Sequence, residues 1–247
     1  MRLSRLFVEM SLTVGQEISL PKESAHYLLN VLRLRVDTPV ILFNGQGGEY
    51  IAFLTSATKK IAQLQITEHQ AIERDSTLQL TLVQAISRPE HINYTIQKAV
   101  ELGVKRIVPV ISERSPPLDQ TKINKREQHW RKIIISACEQ CGRNCLPQLS
   151  ETMLLTDWLQ KKLSLGLNIV LSPDSNTSWK QIKVTPNEMS KNGVTILIGA
   201  EGGLTEMETQ LAIKAGYQDI RLGARILRTE TAATAILAMC QAWWGDF

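Results

Sequence analysis

The sequence predicts an α/β protein in two parts, a small β-barrel followed by a mostly parallel sheet wrapped by helices. Three observations predict it. Residues 1–72 are short apolar runs broken by turns, whereas apolar runs alternate with helical stretches from residue 73 onward. Near the C-terminus, two glycine-containing turns, Ile198–Thr205 and Leu222–Glu230, each follow a strand-like run and lead into a helix-like one. In open α/β sheets such turns lie at the carboxyl ends of the strands, where ligands bind.

In the first part, Arg5–Val8, Val40–Phe43, Glu49–Leu54 and Ala62–Ile66 are strand candidates, and Asn44-Gly45-Gln46-Gly47-Gly48 reads as a hairpin turn. Ser24–Val31 reads as a helix that Ser24 can cap, with Tyr27, Leu28 and Val31 sharing a face. The polar joint Glu73-Arg74-Asp75-Ser76 separates the parts, giving domains 1–72 and 73–247. Beyond it, Leu78–Ile86, Arg106–Ile111, Asn168–Leu171, Val194–Ile198 and Asp219–Leu222 read as strands. Glu90–Leu102, Lys122–Cys141 and Thr231–Trp244 read as helices, the first stopped by Gly103. Such alternation means a parallel sheet with right-handed crossovers.

The chain has 247 residues, 43% hydrophobic and 21% charged, an ordinary globular composition. No run approaches the length that spans a bilayer, and Glu9 interrupts the N-terminal apolar stretch, so neither a membrane span nor a secretory leader is expected. A cytoplasmic protein is the expectation. Charge is uneven: residues 103–145 hold nine Lys/Arg against four Asp/Glu, a local excess larger than the net +4 of the whole chain. That segment reads either as a phosphate-binding patch or as a solvated helix face.

Cys138, Cys141 and Cys145 have a spacing that metal centres use, but they fall on a helical stretch at i, i+3 and i+7. One face of buried thiols is the favoured reading, and no metal is expected. No phosphate-loop or dinucleotide fingerprint is present. Thr205 and Glu208 spell a capping box, so a helix should start just after Gly202-Gly203 with its amides facing the loop. The turn is either a ligand cradle or plain strand-to-helix punctuation. The second turn brings Arg225, Arg228 and Glu230 around Thr229, where an arginine can stabilise negative charge and a carboxylate can accept a proton or face a helix dipole. The last helix is apolar on nearly every face, which calls for burial on all sides, a second subunit included.

Taken together these segments resemble the RsmE-type ribosomal RNA methyltransferases of the SPOUT superfamily. The resemblance rests on Arg5–Val8, His26-Tyr27-Leu28, Val31-Leu32-Arg33, Leu42–Gly45, Gln97–Val104, Ser112–Ser115, Glu139–Arg143 and both glycine turns, with Leu222–Ala232 the most specific stretch. Two positions depart from the family pattern: Ala200 stands where proline is usual, and Asp37-Thr38-Pro39 replaces a Gly-Asp pair.

The resemblance implies a PUA-like β-barrel and a SPOUT domain with a trefoil knot, S-adenosylmethionine as cofactor, a homodimer, and methylation of N3 of a uridine in 16S ribosomal RNA. It places the cofactor among Leu171, Ser172 and Pro173, then Ile198, Gly199, Ala200, Glu201 and Gly202, and finally Leu222, Gly223, Ile226, Leu227, Arg228 and Thr229. Uridine N3 must lose a proton before it attacks a methyl group, so Arg228 is expected to stabilise the anionic base, with Glu230 or Glu201 assisting deprotonation. RNA phosphates are expected at Arg2, Arg5, Arg33, Arg35, Arg114, Lys125, Arg126, Arg131, Lys132 and Arg143. Two alternatives stay open at this level: a related methyltransferase acting on transfer RNA or another base, and a non-catalytic RNA-binding assembly factor.

Overall fold

The computed structural model describes residues 3–58, 61–161, 166–182 and 192–247. It divides into two compact units: Met1–Asp75 with Cys138–Leu146, and Ser76–Ala137 with Pro147–Phe247. The excursion of residues 138–146 into the first unit is not foreshadowed in the sequence pattern.

In the first unit, strands β1 (Ser4–Phe7), β2 (Glu17–Ser19), β3 (Pro39–Phe43), β4 (Glu49–Ala57) and β5 (Ala62–Gln70) form one sheet in the order β1-β3-β4-β5-β2. Only the β1–β3 pair is parallel. Alternation decides which face is buried: Val40, Leu42, Ala52, Leu54, Leu64 and Ile66 all lie at 0% exposure and pack with Leu6 and Leu28. The expected Ser24 cap is replaced by an earlier start. Helix α1 (Lys22–His26) opens after Pro21, whose fixed φ suits a helix entrance, and continues as a π-turn over Tyr27–Val31. That turn rotates the expected face, so Leu28 is buried while Tyr27 and Val31 are exposed. Asp37 adopts φ +68°, a left-handed conformation that aspartate tolerates better than most residues.

Charged groups in this unit are tied to one another. Glu49 accepts from Arg5 at 2.5 Å and from Arg74 at 2.8 Å, and Arg143 pairs with Asp75 at 2.6 Å. Arg5 also donates to Asn144 at 2.5 Å. Burial opposes ionisation of Glu49, but the hydrogen bonds from Arg74 and Arg5 outweigh it and hold the carboxyl below its usual range. Burial pushes the Cys138 thiol up to about 12, as expected of an inert packed cysteine. All four cysteines are free thiols, and among the described residues no group of three or more metal-binding side chains forms.

The second unit holds a seven-stranded parallel sheet: β6 (Leu80–Ala85), β7 (Arg106–Ile111), β8 (Gln148–Leu149), β9 (Met153–Leu154), β10 (Leu167–Leu171), β11 (Val194–Ile198) and β12 (Gln218–Ile220). Its order is β12-β10-β11-β6-β7-β8, with β9 also on β7. Central strands are buried on both faces, and β11 is buried along its whole length, with Thr195 its one polar residue. Helices α2 (Pro89–Glu101), α3 (Gln120–Cys141), α4 (Leu155–Leu159), α5 (Glu206–Lys214) and α6 (Thr229–Trp244) follow their strands. Pro89 at the first position of α2 costs no hydrogen bond, because that N–H would be unpaired anyway. Helix α6 is covered less than its composition implies. Ala233, Ile236, Leu237, Cys240 and Trp244 are buried, whereas Trp243 keeps 47% of its surface exposed. Among the described residues no helix is long and apolar enough to cross a membrane.

Candidate functional site

Parallel pairing of β10 with both β11 and β12 puts the carboxyl ends of the three strands side by side. The loops leaving those ends enclose a cavity of about 700 Å³. From the first loop come Leu171, Ser172, Pro173 and Asp174; from the second, Ile198 through Leu204; from the third, Arg221, Leu222, Arg225, Ile226, Leu227 and Thr229. The cavity therefore gathers the three segments that the resemblance assigns to the cofactor. Gly223 and Arg228 lie outside its lining. Gly223 has φ +111°, a left-handed conformation that favours glycine. Arg228 is exposed and is the residue from which α6 starts.

The second loop is a tight turn in which the backbone comes close to itself. A Cβ on Gly199 would sit 2.5 Å from the Gly203 carbonyl carbon and 2.6 Å from the Leu204 nitrogen, so only glycine fits. Gly203 closes the turn at φ +73°, donating to Ala200 O at 2.9 Å. Ala200 accommodates this turn at 3% exposure. The capping box forms as its spacing requires: Glu208 N donates to Thr205 Oγ1 at 3.2 Å, and Thr205 N to Glu208 Oε2 at 2.9 Å. Glu208 also accepts from Glu113 N at 2.8 Å, which ties the loop after β7 to the same helix start. Arg114, next in that loop, lines the cavity and donates to the carbonyls of Gly202 and, at 3.3 Å, Leu204.

The two candidate bases sit in different surroundings. Glu201 lines the cavity, and its Oε1 accepts the Arg88 N–H at 2.7 Å at the mouth of α2. Glu230 turns away from the lining and meets His91 Nδ1 at 3.2 Å, with its Oε2 buried and unpartnered. Asp219, also on the wall, has its carboxyl raised by burial, with the Ser175 hydrogen bond opposing and the Asp174 charge reinforcing the shift.

The expected phosphate ligands fall into three groups. Arg33, Arg35, Arg114, Lys125, Arg131 and Lys132 are exposed, and Arg126 is half-buried with Nη1 on Ser87 O at 3.3 Å. Arg5 and Arg143 correct the expectation: at 7% and 4% exposure, with Glu49 and Asp75 as partners, their guanidiniums are spent inside the first unit. Arg2 lies outside the described residues.

Sequence reasoning passed over Gln84, Arg88, His91, Asp174 and Asp219. Gln84 had a legible signal, since a glutamine in the otherwise apolar run Leu82–Ile86 demands a buried partner. The pairings of Arg88 and His91 depend on tertiary contacts that no local spacing announces.

Residues 74–241 match the RNA methyltransferase domain family, and residues 20–67 match the RNA methyltransferase PUA domain family. The chain is 34% identical over 99% of its length to a Buchnera aphidicola protein named ribosomal RNA small subunit methyltransferase E, and covers 98% of it. A Bacillus subtilis protein of the same name is 27% identical, with 93% of each chain covered. Two solved structures align over 100% of both chains. One, from Legionella pneumophila, holds the bound cofactor SAM, at 35% identity and TM-score 0.94. The other is a ribosomal RNA small subunit methyltransferase E from Neisseria gonorrhoeae bound to S-adenosyl methionine, at 38% identity and TM-score 0.91.

Proposed function

The chain belongs to the ribosomal RNA small subunit methyltransferase E family, and we propose that it transfers a methyl group from S-adenosylmethionine to N3 of a uridine in 16S ribosomal RNA. The observation that carries the reading is the cavity at the ends of β10, β11 and β12, closed by the Gly199–Gly203 cradle. Its walls suit the cofactor: Leu171, Ile198, Leu222, Ile226 and Leu227 offer apolar surface for a base. Arginines and acids both line it, to meet a molecule carrying a carboxylate, an ammonium and a sulfonium. When bound, S-adenosylmethionine supplies an electrophilic methyl group.

The protein's task is to prepare the uridine. N3 lies on the Watson–Crick edge, so the base must be unpaired before it can enter. Arg228, exposed where α6 begins, stabilises the charge that spreads onto the uracil carbonyl oxygens as N3 loses its proton. Glu201, on the cavity wall, is the better placed of the two carboxylates to take that proton; Glu230, turned toward His91, supports the start of α6. RNA is gripped by Arg33, Arg35, Arg114, Lys125, Arg126, Arg131 and Lys132, three of which are exposed on α3. The trefoil knot is part of this reading, supported by β12 passing β11 to pair with β10. So is a homodimer, supported by the exposed Trp243 and Ala242 on the otherwise apolar α6. Action in the cytoplasm follows from a ribosomal RNA substrate.

The test compares wild type, Glu201→Gln, Glu230→Gln and Arg228→Ala with S-adenosylmethionine and small subunits. Arg228→Ala should lower turnover by about 10²–10³-fold while cofactor affinity holds. Full turnover in both carboxamide variants, with cofactor still bound, rules out a carboxylate base.

A further inference from the structure

We propose that Gln84 is a positioning residue for the reaction: from beneath the cavity, its carboxamide fastens the loop after β11 to the first residue of α6. The inference rests on the S-adenosylmethionine reading above. Gln84 lies on β6 between β11 and β7 at 1% exposure, and does not touch the cavity itself. Its Nε2 is 3.2 Å from the Gly199 carbonyl and 3.0 Å from Thr229 Oγ1, residues 115 and 145 positions away along the chain. Thr229 Oγ1 in turn donates to the Gly199 carbonyl at 2.7 Å, which closes a three-membered polar ring. Gly199 and Thr229 both line the cavity, so the ring sets the spacing between two of its walls.

The chemistry of the ring explains why a glutamine stands there. Three oxygens surround Nε2, the third being Ala85 O at 3.1 Å, and this fixes which end of the amide faces the loops. A flipped amide, or an ionised carboxylate, would press oxygen against the Gly199 carbonyl. The Oε1 atom is buried and unpartnered. An orphaned buried acceptor is costly, and leucine would fill the strand without that cost. The residue is therefore used for its donor half alone, and what the donor half holds is the two loops.

The test measures S-adenosylmethionine affinity by calorimetry and steady-state methyl transfer to small subunits, on full-length wild type, Gln84→Leu, Thr229→Val, their double variant and Gln84→Glu. Gln84→Leu and Thr229→Val should each weaken cofactor affinity by about tenfold, leaving KM for the small subunit unchanged. The double variant should be no worse than either single one to within about twofold, since one ring is broken in every case. Gln84→Glu should bind poorly at neutral pH and recover toward the wild-type value as pH falls, because a protonated carboxyl regains a donor. Wild-type affinity in folded Gln84→Leu overturns the inference, as does a Gln84→Glu deficit that ignores pH or single losses that multiply in the double variant. If wild type itself fails to bind S-adenosylmethionine, the cofactor reading falls first and takes the inference with it.

Discussion

In the first unit buried charges are paired with one another, Arg5 with Glu49, which also holds the exposed Arg74, and Arg143 with Asp75. In the second unit, under the cavity, the buried polar groups are neutral: an amide, a hydroxyl and a backbone carbonyl. A buried charge tolerates no loss of its partner, so the first arrangement is suited to holding a fold together. A neutral ring can yield without stranding a charge, so its loss should be felt at the ligand more than in folding. The same contrast sorts the arginines. Those that meet acids, Arg5 and Arg143, are structural, whereas Arg225 and Arg228 have no acidic partner among the described residues and are exposed near the cavity.

The largest effect should come from breaking the charged cluster. Glu49→Ala leaves the Arg5 guanidinium buried without its carboxylate and should cost about 3–5 kcal/mol, read by denaturant unfolding. Gly199→Ala should act on the other side of the comparison. Its Cβ collides with backbone and not with a side chain that can move, so S-adenosylmethionine affinity should fall by about 100-fold or more, with far less change in unfolding. If Gly199→Ala binds normally, the cradle is not the cofactor wall.

Acid should distinguish the units next. The Glu49 carboxyl is held below its ordinary value of 4.5, so its stabilisation is present above that pH and is lost as pH falls toward the depressed value. Glu139, raised by burial against the Phe7 N–H bond, acts with the opposite sign and is relieved by protonation. Unfolding of wild type should therefore steepen below about pH 4.5, and Glu49→Gln should lose that dependence. The smallest effect is electrostatic: replacing Lys125, Arg126, Arg131 and Lys132 together should weaken RNA binding and flatten its salt dependence by up to about four phosphate contacts. An unchanged slope removes α3 from the RNA surface.

Much of this was legible before the structure, for identifiable reasons. The capping box at Thr205 and Glu208, the mostly apolar run of β11 and the glycines around residue 200 are local signals, and each local rule agrees with the fold. The burial of Arg5 and Arg143 was not legible, because Glu49 and Asp75 lie 44 and 68 residues away and nothing in the spacing links them. The π-turn at Tyr27–Val31 escaped for a different reason: one widened turn shifts the helical phase and leaves the composition untouched. Glu230 looked equivalent to Glu201 in sequence, yet His91 draws it away from the cavity.

The central claim is that the cavity gathered by β10, β11 and β12 serves methyl transfer to uridine N3. Its most direct test is to incubate the protein with methyl-labelled S-adenosylmethionine and, separately, whole small subunits, free ribosomal RNA and transfer RNA, then digest each and identify the labelled nucleoside. Label should appear in 3-methyluridine from small-subunit RNA. Label in another nucleoside, in transfer RNA alone, or in none while the cofactor still binds would contradict it.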